Sequence, residues 1–188
     1  MPDPKTDRLV TERLTLRFPS VEMGGPLLAY RQHNRDHLRP WEPERPNEFY
    51  TIEAVEAQLR AMRRQTEEQS ALYWLIHPRD SEEIIGECSF TNIIRGPFQA
   101  CHLGFSLGGE YEGNGLMHEA LAAAISDIFD VHKLHRIMAN YQPHNHRSEK
   151  LLGRLGFDRE GLARKYLKIN GQWTDHMLTS LINPAEFS

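Results

Sequence analysis

The stretch richest in chemistry lies between positions 100 and 124. There a strand-like run gives way to Glu110-Tyr111-Glu112-Gly113-Asn114-Gly115 and then to a long helical pattern. Strand, glycine turn and helix together hold anions. Glycines let the backbone approach a phosphate, and the free N–H groups of a helix N-terminus, backed by its dipole, complement the charge. The same residues also suit a plain tight turn, and one Gly-x-Gly does not decide between the two. A Walker loop is excluded because no Gly-Lys-Ser/Thr follows. A dinucleotide fingerprint is excluded because the third glycine is absent and the preceding strands read as antiparallel. His144-x-His146 and His132-x-x-His135 pair imidazoles, but no carboxylate or cysteine joins them at a recognised ligand spacing, so no metal is expected.

These residues must be positioned by an alternating set of elements. Residues 13–18 alternate Leu14 and Leu16 with polar side chains and stop at Pro19, which predicts a half-buried strand. Residues 21–34 fit a helix interrupted near Gly24, Gly25 and Pro26, and the proline-dense 40–46 is a loop. Ile52, Val55, Leu59 and Met62 predict a helix over 51–69 capped by Thr51. Apolar-rich runs at 71–77, 84–94 and 100–107, parted by short turns, predict an antiparallel meander. An amphipathic helix follows over 116–129 and a strand over 134–141. Asn145 is the N-cap of a helix that buries Leu151, Leu152 and Leu155 and stops at Gly156. Residues 164–169 and 173–182 read as strands joined by Asn170-Gly171, a strong hairpin signal.

With 188 residues, 39% of them apolar and 26% charged, the chain is expected to form one soluble domain over 1–188. No apolar run exceeds six residues, so no membrane span is expected, and residues 1–10 contain no secretory h-region. Only Cys88 and Cys101 occur, which suits a reducing cytoplasm. A net charge of −4 argues against general or sequence-specific nucleic-acid binding. Its distribution says more than its sum. Residues 131–168 hold nine Lys or Arg against three acids, whereas residues 42–87 hold eleven acids against five arginines. One reading is a basic lobe for an anionic cofactor opposite an acidic lobe for a cationic partner. The other is that exposed helices carry whatever charge keeps them soluble.

The order of elements resembles the GNAT acetyltransferase superfamily, whose pyrophosphate loop reads Q/R-x-x-G-x-G/A. His37-Leu38-Arg39-Pro40-Trp41-Glu42-Pro43, Gly115-Leu116-Met117-x-Glu119-Ala120, His135-Arg136-Ile137-Met138-Ala139-Asn140-Tyr141, Pro143-His144-Asn145-x-x-Ser148 and Gly171-Gln172-Trp173-x-Asp175-His176 narrow it further. In that order they resemble the RimJ/RimL-type ribosomal-protein alanine N-acetyltransferases, over about the whole chain. The resemblance implies a mixed α/β fold. Its central sheet has seven mostly antiparallel strands with one parallel pair, flanked by about four helices. It also implies acetyl transfer from acetyl-coenzyme A to the α-amine of a ribosomal protein's N-terminus (Ala or Ser), directly and without an acyl-enzyme. Ribosomal particles are a further partner in this reading. The alternatives are acetylation of a small amine or aminoacyl-like toxin, and a ribosome-assembly factor with a vestigial site.

For the site, the resemblance implies that Phe105, Ser106, Leu107, Gly113, Asn114, Gly115, Leu116, Met117, Asn145, Arg147 and Ser148 hold the cofactor. Glu110 stands where Gln or Arg is usual, and Glu112 adds a second carboxylate, so the pyrophosphate falls to the backbone amides of residues 113–117. Many relatives place a tyrosine seven residues after the motif asparagine to protonate the leaving thiolate. Here that position is Leu152, and Ser148 is the remaining candidate, although helix capping alone accounts for Asn145 and Ser148. His102 matches the position of a relative's basic glutamate, and an imidazole with a pKa of about 6.5 suits that task. Glu87 is the second candidate base. Both residues also fit as plain polar positions of alternating strands. Trp41, Tyr141 and Trp173 are expected at the acceptor, the alternative being core aromatics.

Overall fold

The structure is a computed structural model and describes residues 7–187. Among the described residues, eight strands form one sheet. They are β1 (Arg8–Val10), β2 (Leu14–Arg17), β3 (Leu72–Pro78), β4 (Gly86–Ile94), β5 (Ala100–Leu107), β6 (Arg136–Tyr141), β7 (Asp158–Ile169) and β8 (Gln172–Ile182), lying in the order β1-β2-β3-β4-β5-β6-β8-β7. Every neighbouring pair is antiparallel except β5 and β6, which run parallel. Among the described residues the five α-helices are α1 (Gly24–His33), α2 (Arg35–Leu38), α3 (Ile52–Glu67), α4 (Leu116–Asp130) and α5 (His146–Arg154).

The fold class is as expected, while the counts of seven strands and about four helices are corrected to eight and five. The extra strand is β1, three residues paired with β2 and too short to show a period. The extra helix is the single turn α2, which continues the chain from α1 through Asn34. The expected interruption near Gly24 is instead a start. Gly24 and Gly25 open α1 with Pro26 in its first turn, where a missing N–H costs nothing.

Strand alternation assigns the faces. Leu72, Trp74, Cys88, Phe90, Cys101, Leu103, Ile137 and Ala139 meet α4 through Met117, Ala120, Leu121, Ala124 and Ile128 in the larger core. Leu75 and Ile84 meet Leu27, Tyr30, Val55 and Leu59 of α1 and α3 in a smaller core on the opposite face. The Thr51 cap is present, its Oγ1 accepting from the Ala54 amide. The Asn170-Gly171 turn has positive φ at both residues, as a two-residue hairpin of this twist requires.

Candidate active site

The site exists because β5 and β6 part company. Their pairing runs from Ala100 opposite Arg136 to Leu103 opposite Ala139. Beyond it β5 continues to Leu107 against β4, while β6 continues to Tyr141 against β8. From Gly104 onward β5 therefore lacks its β6 neighbour, and the sheet carries a gap with unpaired backbone. An extended ligand can lie there as a strand would.

Two cavities meet at this gap. One, of about 360 Å³, lies on the α4 and α5 side and is lined by Phe105, Ser106, Leu107, Gly113, Gly115, Leu116, Met117, Asn145, Arg147 and Ser148. The other, of about 500 Å³, lies on the α1 and α3 side and is lined by Arg31, Arg35, Arg45, Phe49, Tyr73, Glu87 and Gly104 among others. Leu38, Trp41, Glu42, Phe105 and Ser106 border both.

The first cavity presents donors that suit an anionic ligand. Gly113 and Gly115 have φ of +78° and +76°, a region in which a Cβ is strained. Gly115 is the N-cap of α4 and offers no capping side chain, so the amides of the first turn are left to an incoming acceptor. A clamp fixes this turn to the sheet. Glu119 accepts from Thr11 Oγ1 at 2.6 Å, the Arg13 amide at 2.8 Å and Arg13 Nε at 2.7 Å, and Arg13 Nη1 donates to the Asn114 carbonyl at 3.0 Å. Burial pushes the Glu119 carboxyl up, but these donors outweigh it and hold its pKa below the ordinary value. The Asn114 carbonyl thus faces Arg13, its side-chain amide donates to the Glu112 carbonyl at 3.2 Å, and the residue lines neither cavity. The glycine-turn pattern carried no sign of Arg13, which sits a hundred residues away.

The two carboxylates of the loop fare differently. Glu110 lies outside the cavity, 3.6 Å from His33 Nε2. Glu112 reaches into it and is paired with Arg147 and with His37 Nε2, the latter at 3.2 Å. Its charge is therefore met by the Arg147 guanidinium and the His37 ring, and an entering phosphate competes for Arg147 rather than facing a bare carboxylate. At the other end Asn145 Oδ1 accepts from the Ser148 amide at 3.1 Å, which caps α5 and leaves the Ser148 hydroxyl on the cavity wall.

Glu42 is the carboxylate at the junction. Burial raises its pKa, and the neighbouring Glu87 raises it further against the pull of Arg45 and Arg31. Glu87 itself lies 3.4 Å from Arg31 Nη2. Ser106 is held by the Tyr30 hydroxyl at 2.8 Å. Cys88, opposite Phe105, and the more distant Cys101 are buried thiols. Burial pushes Cys101 up to about 12 and Cys88 higher still, so neither supplies a thiolate nucleophile.

Besides Asn114, three expected residues stand apart from the cavities. His102 shares the sheet face of Gly104 and Glu87, but its Nδ1 is buried without a hydrogen-bond partner and burial lowers its pKa. Tyr141 is in the larger core at 5% exposure, so it follows the core alternative. Trp173 is 62% exposed on the β7–β8 hairpin and is neither core nor cavity wall. Trp41 does border both cavities. The sequence puts Glu42 in the 40–46 loop beside Trp41, and only the fold shows that it is seated at the junction. Among the described residues no group of three or more His, Cys, Asp or Glu could hold a metal ion.

Residues 13–158 match the acetyltransferase (GNAT) domain, which is most of the chain, and the protein belongs to this family of acetyltransferases. Within it, the [ribosomal protein uS5]-alanine N-acetyltransferase of Escherichia coli is 45% identical over 177 residues, covering 94% of this chain and 91% of that one. The crystal structure of the ribosomal-protein-S5-alanine acetyltransferase of Vibrio fischeri superposes with a TM-score of 0.90 at 41% identity, covering 94% and 97% of the two chains. That of Mycobacterium smegmatis RimJ, in complex with a coenzyme A disulfide, superposes at 0.86 with 26% identity over 92% and 83%.

Proposed function

We propose that this chain, acting as one domain, transfers acetyl from acetyl-coenzyme A to the N-terminal α-amine of a ribosomal protein. The acceptor that the relatives' names point to is an alanine-led uS5, met in the cytoplasm as a free protein or on a ribosomal particle. No described helix is long and apolar enough to cross a membrane. The observation that carries the reading is the meeting of two cavities at Phe105 and Ser106, in the gap between β5 and β6. A thioester entering from one face and an amine from the other reach each other there without a covalent relay.

Acetyl-coenzyme A supplies an activated acyl group. The residues of this chain do the rest. Amides of residues 113–117 and Arg147 hold the pyrophosphate, fixed in place by the Arg13–Glu119 clamp. Backbone of residues 104–107, freed from β6, orients the arm that carries the thioester. Glu42, poised by burial, takes a proton from the α-ammonium so that the neutral amine attacks the thioester carbonyl, because a carboxylate with a raised pKa is a better base. Ser148 donates toward the leaving sulfur from the opposite wall.

The reaction is tested by incubating the enzyme with acetyl-coenzyme A and an N-terminal uS5 peptide and locating the acetyl group by tandem mass spectrometry. One acetyl on the α-amine of the alanine supports the reading. Transfer to lysine side chains only, or to small amines in preference to the peptide, overturns it.

A further inference from the structure

The charge of residues 42–87 suggested an acidic groove for a cationic acceptor. The folded cavity is different, because α1 and α2 bring in arginines from outside that window. Arg31, Arg35 and Arg45 all line it, facing only the carboxylates Glu42 and Glu87. The remaining polar groups on the wall, among them Gln58, Gln65 and the Tyr50 and Tyr73 hydroxyls, are neutral.

The three guanidinium groups are held together rather than dispersed. Arg31 and Arg45 lie 4.8 and 4.6 Å from the centre of the Phe49 ring, and Arg35 lies 4.4 Å from that of Tyr50. The two rings are themselves in edge contact, with centres 5.1 Å apart. Arg31 is 95% buried, and its Nε has no hydrogen-bond partner. Arg35 is satisfied by a neutral group, the Asn47 side chain at 2.8 Å, and the Glu42 carboxylate stands 3.9 Å from Arg45, beyond hydrogen-bond reach. Three cations stacked on two adjacent rings repel one another and keep donors to spare. The arrangement is relieved by one more anion, and a planar carboxylate matches the guanidinium fork.

We infer that the arginine-lined cavity is a subsite for a carboxylate side chain of the acceptor, a Glu or Asp within the first few residues after the acetylated amine. This rests on the proposed transfer to a protein N-terminus and specifies which termini are taken. The α-amine lies at the junction by Trp41 and Glu42, and the chain behind it runs past Phe49 and Tyr50. The same cations disfavour an ammonium beside them and so promote the neutral amine that attack requires.

The test uses C-terminally amidated octapeptides that begin with alanine and carry one glutamate at position 2, 3, 4 or 5. Each is compared with its glutamine and lysine counterparts. At one position glutamate should raise kcat/KM about tenfold over glutamine through KM, and lysine should lower it, as expected for one charge-assisted contact. Arg35→Gln and Arg45→Gln, both at exposed positions, should bring the glutamate-to-glutamine ratio toward one. Equal rates for glutamate and glutamine at every position, or a preference for lysine, overturn the subsite while leaving N-terminal transfer intact. Acetylation of none of the peptides overturns both.

Discussion

Asparagine at position 113 separates what the glycine does for the chain from what it does for a ligand. In the free protein a Cβ on Gly113 meets no atom within 4 Å, and one on Gly115 meets only Arg13 Nη2 at 3.7 Å. Sterics within the protein therefore do not demand glycine at either place. The backbone does, since alanine in the left-handed region costs about 1–2 kcal/mol. Asparagine tolerates that region, as Asn92 and Asn170 do elsewhere in this chain. Gly113→Ala should thus lower the unfolding free energy by about 1–2 kcal/mol in urea titration, and Gly113→Asn by much less. Binding should not follow the same order. If a pyrophosphate packs on these amides, either Cβ holds it off. Two hydrogen bonds to a charged group are worth about 3–6 kcal/mol together, a loss of about 10²- to 10⁴-fold in Kd. Isothermal titration with acetyl-coenzyme A should find both variants similarly impaired, with Asn folded as well as the parent. Parental affinity in Gly113→Asn would show that the glycine serves only the turn and that the anion lies elsewhere.

Ser148→Ala should leave α5 capped by Asn145 and lower turnover about 10²-fold, with little change in Kd for acetyl-coenzyme A. Unchanged turnover would move protonation of the sulfur to water. Glu42→Gln should lower kcat by about 10²- to 10⁴-fold and remove the acidic limb of the pH–kcat/KM profile. In the parent that limb lies above the usual carboxylate range, because burial and Glu87 raise the Glu42 pKa, and activity grows with pH as the ionised form appears. A limb that survives the substitution would assign it to another group. Stability should fall on mild acidification. His77 is fully buried, and burial together with Arg17 holds its pKa below the unfolded value of about 6.5. The unfolded chain therefore takes up the proton first, and stability is lost as pH falls through that value and onward to the folded pKa. Urea midpoints at pH 7.5 and 5.5 should differ less in His77→Gln than in the parent.

Elements with one apolar stripe or a diagnostic turn were legible in the sequence. Helix α4 shows its buried Ala120, Leu121, Ala124 and Ile128 as a repeating pair, and the Asn-Gly turn sets the β7–β8 register. Strand β7 was legible only in its second half. It is an edge strand exposed on both faces, with register shifts at Arg159/Gly161 and Ala163/Leu167, so neither alternation nor continuity survives in its residues. The residues expected to hold the cofactor are local in the chain, a glycine turn and a capped helix, and most of them line one cavity. The proposed acceptor wall is not local, because it draws on α1, α2, the 40–46 loop and β4 at once. Summing charge along the chain missed Arg31 and Arg35, and no local pattern distinguishes Glu42 from Glu44. Trp173 and Tyr141 were matched to a motif, but which way a side chain faces depends on strand register, and register was not yet known.

The central claim is that thioester and amine meet at Phe105 and Ser106 from opposite faces of the parted sheet. It is tested most directly by a crystal structure with a bisubstrate conjugate, coenzyme A joined through an acetyl bridge to the α-amine of an alanine-led peptide. The account predicts the pyrophosphate on the amides of residues 113–117 and the bridging carbonyl between Trp41 and Ser106. The peptide should then run into the cavity lined by Arg31 and Glu87. A peptide that leaves on the same face as the cofactor, or a bridge seated away from the gap between β5 and β6, would contradict it.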